Sequence, residues 1–197
     1  MTRQIEPLPE HDLFFMEKAL GLAEKALEMG EFPVGCVLVA DGRVVAEGAR
    51  LHTERDVRNE LDHAEIMALR SWRENGMPGH DSHGGVTAYI TLEPCLMCMG
   101  ALILNGINRT VYALEDVMGG AAGLDFSRTF TAVPVESGSL AEDGRFHLYA
   151  GYDRHITGGV GRNRSLELFR AFFGNPDLDY WKESLLSRHI LSEKTGS

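Results

Sequence analysis

The composition of this 197-residue chain is that of an ordinary globular protein. Hydrophobic residues make up 44% and charged residues 24% of the sequence, a balance that argues against a disordered or membrane-embedded protein. No apolar run reaches the roughly 18 residues that a membrane span requires, so we expect no membrane partner and a cytoplasmic location. The formal net charge of -10 argues against binding a long phosphate backbone, because such binding relies on surplus Lys and Arg.

The spacing of apolar residues predicts ten elements, with strands and helices alternating after an opening hairpin. In chain order they are a helix over 12–29, strands over 34–39 and 43–46, a helix over 62–74, a strand over 86–92, a helix over 95–104, strands over 110–114 and 155–157, and helices over 163–173 and 179–191. Asp12 is the expected N-cap of the first helix, and Asp41-Gly42 is the expected turn of the hairpin. This order predicts an α/β domain in which helices pack on a mixed sheet.

Two cysteines lie three residues apart at the start of the predicted helix over 95–104. At this spacing the sulfurs of Cys95 and Cys98 can face one point, and the amides of a helix N-terminus favour their thiolate forms. The pair alone is ambiguous, because Cys-x-x-Cys between a strand and a helix is also a redox motif. Three cysteines, an odd number, fit metal binding or redox chemistry better than a framework of disulfides.

A second motif, His63-Ala64-Glu65, stands at the start of the predicted helix over 62–74. With the cysteines it forms an H-x-E and P-C-x-x-C pattern that is typical of zinc deaminases. One His and two Cys supply the three protein ligands that a catalytic zinc commonly keeps, with a fourth position left for water. Two helical residues differ by about 200° in direction, so Glu65 is the expected acid and base rather than another ligand.

Two other classes of protein fit parts of this pattern. Cys36 could be a fourth ligand of a closed structural zinc site, which would make the chain a binding module, although a cysteine in an apolar strand is more often part of the core. A thiol-disulfide oxidoreductase would use Cys95 and Cys98, but it leaves His63 and Glu65 without a task.

From about residue 32 to residue 173 the sequence resembles the cytidine and deoxycytidylate deaminase superfamily, and within it the tRNA adenosine deaminase and guanine deaminase branch. The resemblance lies in four blocks: Phe32-Pro33-Val34-Gly35, His63 to Leu69, Tyr89 to Cys95, and Gly120-Ala121-Ala122-Gly123. It implies a three-layer α/β/α fold with a mixed five-stranded sheet. It also implies Zn²⁺ on His63, Cys95 and Cys98, proton transfer by Glu65, and a homodimer formed through the helix from Cys95 and the loop near Gly120.

The chain departs from the tRNA-editing relatives at three places, one of which is an insertion expected over residues 131–152. It has Ala49-Arg50 where those relatives carry Trp-Asn, and Phe172-Phe173 is followed by an acidic, aromatic segment rather than a basic tail. We therefore expect release of ammonia from a small nucleobase or nucleoside, with a purine favoured, and tRNA adenosine as the alternative substrate. In that segment Tyr180 and Trp181 either form a lid or dock on the body of the domain.

The same resemblance indicates residues that contact the substrate and the limits of the domain. The substrate contacts are expected from Arg50, Ala64, Glu93 and Pro94. Residues 1–174 form the expected deaminase domain, with an insertion over 131–152. Residues 175–197 form an expected C-terminal helical extension that docks on it.

Overall fold

The structure, a computed structural model, describes residues 9–54, 56–80, 85–125, 149 and 155–193. These residues form five helices and five strands. They are α1 (Pro9–Glu28), β1 (Gly35–Ala40), β2 (Arg43–Ala49), α2 (Ala64–Glu74), β3 (Val86–Leu92), α3 (Leu96–Leu104), β4 (Arg109–Leu114), β5 (His155–Thr157), α4 (Arg162–Gly174) and α5 (Leu185–Ser192). Within the described residues, no helix is both long and apolar enough to cross a membrane. Apart from Tyr149, the expected insertion over 131–152 lies outside the described residues.

The five strands form one mixed sheet in the order β2-β1-β3-β4-β5. Strand β1 pairs antiparallel with β2 and β3, whereas β3–β4 and β4–β5 are parallel pairs. The hairpin turn has φ of 49° at Asp41 and 71° at Gly42, which is the left-handed pair that a tight two-residue hairpin requires. The predicted mixed sheet and its opening hairpin are confirmed.

Helices cover both faces of the sheet because successive side chains of a strand point to opposite faces. Cys36 and Leu38 of β1 belong to a buried cluster with Ala68 of α2, whereas Val37 and Val39 belong to a cluster with α1. Strand β1 is buried at every position, as expected for a central strand between two layers. The predicted three-layer α/β/α fold is therefore confirmed.

The first helix begins earlier than we predicted. It starts at Pro9, since proline suits the first turn of a helix, so Asp12 lies inside the helix and is not its N-cap. The Asp12 carboxylate is instead buried, accepts a 2.8 Å hydrogen bond from Tyr89 Oη and forms an ion pair with Arg109. Its role is to tie α1 to the sheet.

The last helix is shorter than the predicted span of 179–191. It begins at Leu185 after Ser184, whose side chain accepts a 3.0 Å hydrogen bond from the backbone amide of Ser187. Trp181, four residues before α5, has a φ of 52°, which a helix cannot contain. The residues before this cap therefore form turns, and Tyr180 among them packs edge to face on Phe32.

Close contact between β2 and α2 requires glycine at position 48. A Cβ atom at Gly48 would overlap the backbone of Ala64 and Ala68, so α2 lies directly against the strand. We predict that Gly48→Ala lowers the free energy of unfolding by about 1–3 kcal/mol or more, measured by urea denaturation.

Gly21→Ala is the matched control, because a Cβ at Gly21 in α1 meets nothing within 4 Å. That change should raise stability by about 0.5–1 kcal/mol, as expected for glycine to alanine inside a helix. Equal effects of the two substitutions would contradict the packing described here.

Candidate active site

The N-termini of α2 and α3 bring His63, Cys95 and Cys98 together. His63 occupies the N-cap position of α2 and Cys95 that of α3, and neither side chain caps its helix. Cys98 lies in the first turn of α3 and is fully buried. The side chains of His63 and Cys95 are thereby free to point at a common centre.

The ligand atoms of these three residues have the spacing of a zinc site. His63 Nδ1 lies 3.7 Å from Cys95 Sγ and 3.4 Å from Cys98 Sγ, and all three atoms lie within 4.8 Å of one another. With Zn–N bonds of about 2.0 Å and Zn–S bonds of about 2.3 Å, tetrahedral geometry separates nitrogen and sulfur by about 3.6 Å. The donor set and its spacing therefore fit Zn²⁺.

The surroundings of Cys95 favour its thiolate. The hydrogen bond from Cys98, followed by that from His63, lowers the pKa of Cys95 to about 4, although burial acts in the opposite direction. The amides at the start of α3 add a positive electrostatic potential at the sulfur. A thiolate is the form of cysteine that binds zinc.

Glu65 is the second residue of α2 and lies beside this cluster. Its side chain is buried, and burial raises the pKa of its carboxyl group above the ordinary value. Glu65 does not belong to the group of converging ligand atoms, although it lines the same cavity as His63 and Cys95. A carboxyl group in this position can exchange a proton with a molecule bound in the cavity.

Cys36 does not join the ligand group. It is fully buried in β1 within the apolar core, and burial raises the pKa of its thiol well above the ordinary value. Among the described residues, the ligand atoms that converge with His63 are those of Cys95 and Cys98 alone. The core role predicted for Cys36 is confirmed, and Cys36 is not positioned to close a four-ligand zinc site.

A second group of possible metal ligands, Glu115, His189 and Glu193, is already bound by the cationic side chain of Arg162. Arg162 Nε donates a 2.8 Å hydrogen bond to Glu115, and its Nη2 lies 2.6 Å from Glu193. The Arg162 guanidinium lowers the pKa of Glu115 to about 2. This cluster therefore joins α4 and α5 to the end of β4.

A cavity of about 380 Å³ opens over His63 and Glu65, within the size range of pockets for small ligands. Its wall combines the start of α2, the end of β3, the loop after β4, and the segment that leads into α5. The lining residues are Phe32, Val34, Arg50, Glu60, His63, Ala64, Glu65, Leu92, Glu93, Cys95, Asp116, Met118, Gly119, Tyr180, Trp181 and Leu186.

Arg50 lines this cavity but its guanidinium is held by protein partners. Its side chain is 2% exposed and donates to the carbonyl of Asn59 at 2.8 Å, to Glu60 Oε2 at 3.1 Å and to Tyr180 Oη at 3.1 Å. Tyr180 Oη in turn donates to Glu60 Oε2 at 2.7 Å, which lies 3.9 Å from His63 Nε2. These bonds fix one side of the cavity next to His63.

The other three predicted substrate contacts lie in different surroundings. Ala64 lines the cavity. Glu93 also lines it, and its carboxylate accepts hydrogen bonds from the amides of Asp116 and Ala122 at 3.2 and 3.0 Å. Pro94 is not part of the lining, and its carbonyl accepts a bond from the amide of Ala121. Glu93 and Pro94 therefore hold the loop after β4 in place.

The backbone of that loop lies close to Glu93 and to the start of α3. A Cβ atom at Gly120 would overlap the Glu93 carboxylate, and Gly120 forms an isolated β-bridge with Cys95. Glycine at this position lets the loop lie against the start of α3.

Several lining residues carried no signal in the sequence. Glu60 stands in a polar stretch that reads as a solvated loop, and Asp116, Met118 and Leu186 have no motif spacing to the ligands. Their proximity comes from tertiary packing alone. For Tyr180 and Trp181 the sequence indicated only an aromatic pair that either forms a lid or docks on the domain.

Residues 9–114 match the family described as the cytidine and deoxycytidylate deaminase zinc-binding region. The chain belongs to this family. Zinc is accordingly its cofactor, and hydrolytic deamination is its class of reaction. This assignment agrees with the expectation from the paired motifs and leaves no basis for the thiol-disulfide oxidoreductase.

Similar proteins carry names from the tRNA-editing branch. A tRNA-specific adenosine deaminase from Streptococcus pyogenes is 38% identical over 140 residues, covering 68% of this chain and 85% of that protein. One from Haemophilus influenzae is 40% identical over 141 residues, covering 68% and 79% respectively.

Solved structures share the fold. One from a study of A-to-I editing by tRNA:A34 deaminases at the wobble position of transfer RNA has a TM-score of 0.55 and 33% identity, covering 79% of this chain and 98% of that one. NE0047 in complex with 2,6-diaminopurine has a TM-score of 0.60 over 86% of this chain and 85% of its own. Its 22% identity supports the fold alone.

The geometry predicts which residues retain the metal. His63→Ala and Cys98→Ser should each lose most of the zinc, because removing one of three protein ligands opens the site. Cys36→Ala should retain it, since Cys36 lies in the core. Metal content per purified chain, measured by mass spectrometry, checks this, and zinc loss in the Cys36 variant would indicate a fourth ligand.

Proposed function

We propose that the chain hydrolyses the exocyclic amino group of a nucleobase ring, with zinc on His63, Cys95 and Cys98 and with Glu65 as the proton carrier. The observation that carries this proposal is the placement of a buried carboxyl group beside three converging metal ligands at one cavity. A structural zinc site requires neither a buried carboxyl group beside its ligands nor an open cavity.

The reaction replaces the amino group with the oxygen of water and releases ammonia. Zinc, when bound, supplies a Lewis acid that makes water nucleophilic at neutral pH. Glu65 takes a proton from the attacking water and delivers it to the ring nitrogen, and then assists departure of the amine as ammonia. Its burial limits competition from bulk water for these protons.

The similar proteins favour adenosine within tRNA as the substrate. Two relatives named tRNA-specific adenosine deaminase are 38% and 40% identical to this chain, and the matches cover 85% and 79% of their lengths. This similarity supports tRNA adenosine, the alternative substrate expected from the sequence. It gives less support to the small nucleobase or nucleoside that the net negative charge favoured. The preferred target is therefore an adenine ring presented by tRNA.

A free nucleobase or nucleoside is the second candidate, because the cavity has an acidic side. Glu60 and Asp116 line it, and the positive charge of Arg50 is paired with Glu60. Arg58, whose guanidinium lies 5.2 Å from the centre of the Tyr180 ring, is paired with Asp179. These charges together with the net charge of -10 disfavour a polyanion and suit an uncharged ring.

A substrate screen separates the two candidates. Ammonia release is measured with adenosine, guanine, cytidine and an RNA anticodon stem-loop that contains adenosine at the wobble position. Turnover of the stem-loop alone supports tRNA editing, and turnover of a free base or nucleoside alone supports the second candidate. Zinc-loaded protein that releases no ammonia from any of them would contradict both.

The expected homodimer, cytoplasmic location and domain limits remain predictions. Helix α3 and the loop after β4 expose Leu96, Leu104 and Leu124, which supports a dimer surface of the kind implied by the family resemblance. The limits proposed are a deaminase domain over 1–174 with an insertion over 131–152, and a C-terminal extension over 175–197.

Glu65→Gln should lower turnover by roughly 10²- to 10⁴-fold, the usual contribution of a positioned acid or base, while the zinc content stays near one per chain. Glu74→Gln is the matched control, because Glu74 lies on the same helix but is exposed at its other end. Turnover and metal content of both variants are measured on the substrate found in the screen. Near-normal turnover of Glu65→Gln would exclude the proposed proton transfer.

A further inference from the structure

The outer wall of the cavity is built by a segment beyond the part of the chain that matches the family. The match ends at residue 114, yet Tyr180, Trp181 and Leu186 line the cavity over His63. The part of the chain that matches the family therefore does not include the residues of this wall.

Tyr180 anchors the wall. Its side chain is buried, its ring packs edge to face on Phe32, and its hydroxyl group exchanges hydrogen bonds with Arg50 and Glu60. The Arg50 guanidinium also lies 5.5 Å from the centre of the Tyr180 ring. An aromatic residue held by packing and by two charged partners has a fixed position in the fold.

Trp181 differs from its neighbour in exposure and in backbone conformation. It lines the cavity but is 45% exposed, whereas Tyr180 is 5% exposed. The φ of 52° at Trp181 is uncommon for a bulky residue, and strain of this kind is found where side chains hold ligands. The indole stands at 86° to the Tyr180 ring, 5.9 Å from its centre, so its broad surface is not stacked on Tyr180.

We propose that Trp181 stacks on the planar ring of the substrate and that the lining residues Tyr180, Trp181 and Leu186 select the ring that enters the cavity. This inference rests on the proposed function. An indole face binds any flat heteroaromatic ring, and base-on-aromatic stacking is a main source of affinity in nucleic-acid pockets. The same contact serves an adenine turned out of tRNA and a free purine.

The kinetic test compares Trp181→Ala, Trp181→Phe and the control Leu185→Ala. Leu185 is exposed on α5 next to the same wall but does not line the cavity. Trp181→Ala should raise KM by roughly 5- to 100-fold, the usual worth of one stacked base, with kcat little changed, because stacking acts equally on substrate and transition state. Trp181→Phe should recover most of the loss, and Leu185→Ala should match the parent protein.

A binding test provides a second measurement that does not depend on turnover. The chain has two tryptophans, and Trp72 is buried at 1% exposure away from the cavity lining. Addition of 2,6-diaminopurine or adenosine should therefore quench mainly Trp181 fluorescence, and Trp181→Phe should abolish the change. Circular dichroism and zinc content, unchanged in both Trp181 variants, show that the fold is intact.

The outcomes separate this inference from the proposed function. A folded Trp181→Ala variant with the parental KM, or ligand-dependent quenching that persists in Trp181→Phe, overturns the stacking role while deamination stands. Absence of ammonia release by the parent protein counts against the proposed function, and the fluorescence measurement then still decides whether Trp181 binds a purine ring.

Discussion

The convergence of two helix N-termini is the constraint on which the site depends. His63 and Cys95 hold equivalent N-cap positions on α2 and α3, so the placement of the helices determines the distances among the ligand atoms. Helix α2 is fixed by its close contact with β2 at Gly48. The start of α3 is fixed by the bridge from Cys95 to Gly120 and by the Glu93 carboxylate, which holds the loop that contains Gly120.

Convergence also explains why the site can carry both negative charge and a buried acid. Helix N-termini present unpaired amide groups and a partial positive charge, which favour the thiolate of Cys95. Glu65 lies one helical position farther along α2 than Ala64; it is beside the ligand group without belonging to it, and it lines the same cavity. On α2, the proposed metal ligand His63 and the proposed proton carrier Glu65 thus lie on different sides of the start of one helix.

Local patterns made much of this architecture predictable, whereas distant contacts did not. The spacing of His63, Glu65, Cys95 and Cys98 follows from two short motifs, and the periodicity of apolar residues predicted the sheet and its layers. The N-cap assigned to Asp12 was wrong because that carboxylate bonds to Tyr89 and Arg109, 77 and 97 residues away. The partnership of Glu60 with Tyr180 spans 120 residues, and a single sequence contains no periodic signal for such a contact.

The location of the Tyr180 wall has a consequence for how the protein can diversify. The residues assigned to metal binding and proton transfer lie between positions 63 and 98, whereas the aromatic wall belongs to a separate stretch of chain joined to α4 and β4 through Arg162. Under these proposed roles, chemistry and choice of substrate occupy different segments. Mutations in the later segment can change which ring the cavity accepts without altering the residues proposed to bind the metal and to transfer the proton. Substrate preference can therefore evolve separately from the reaction.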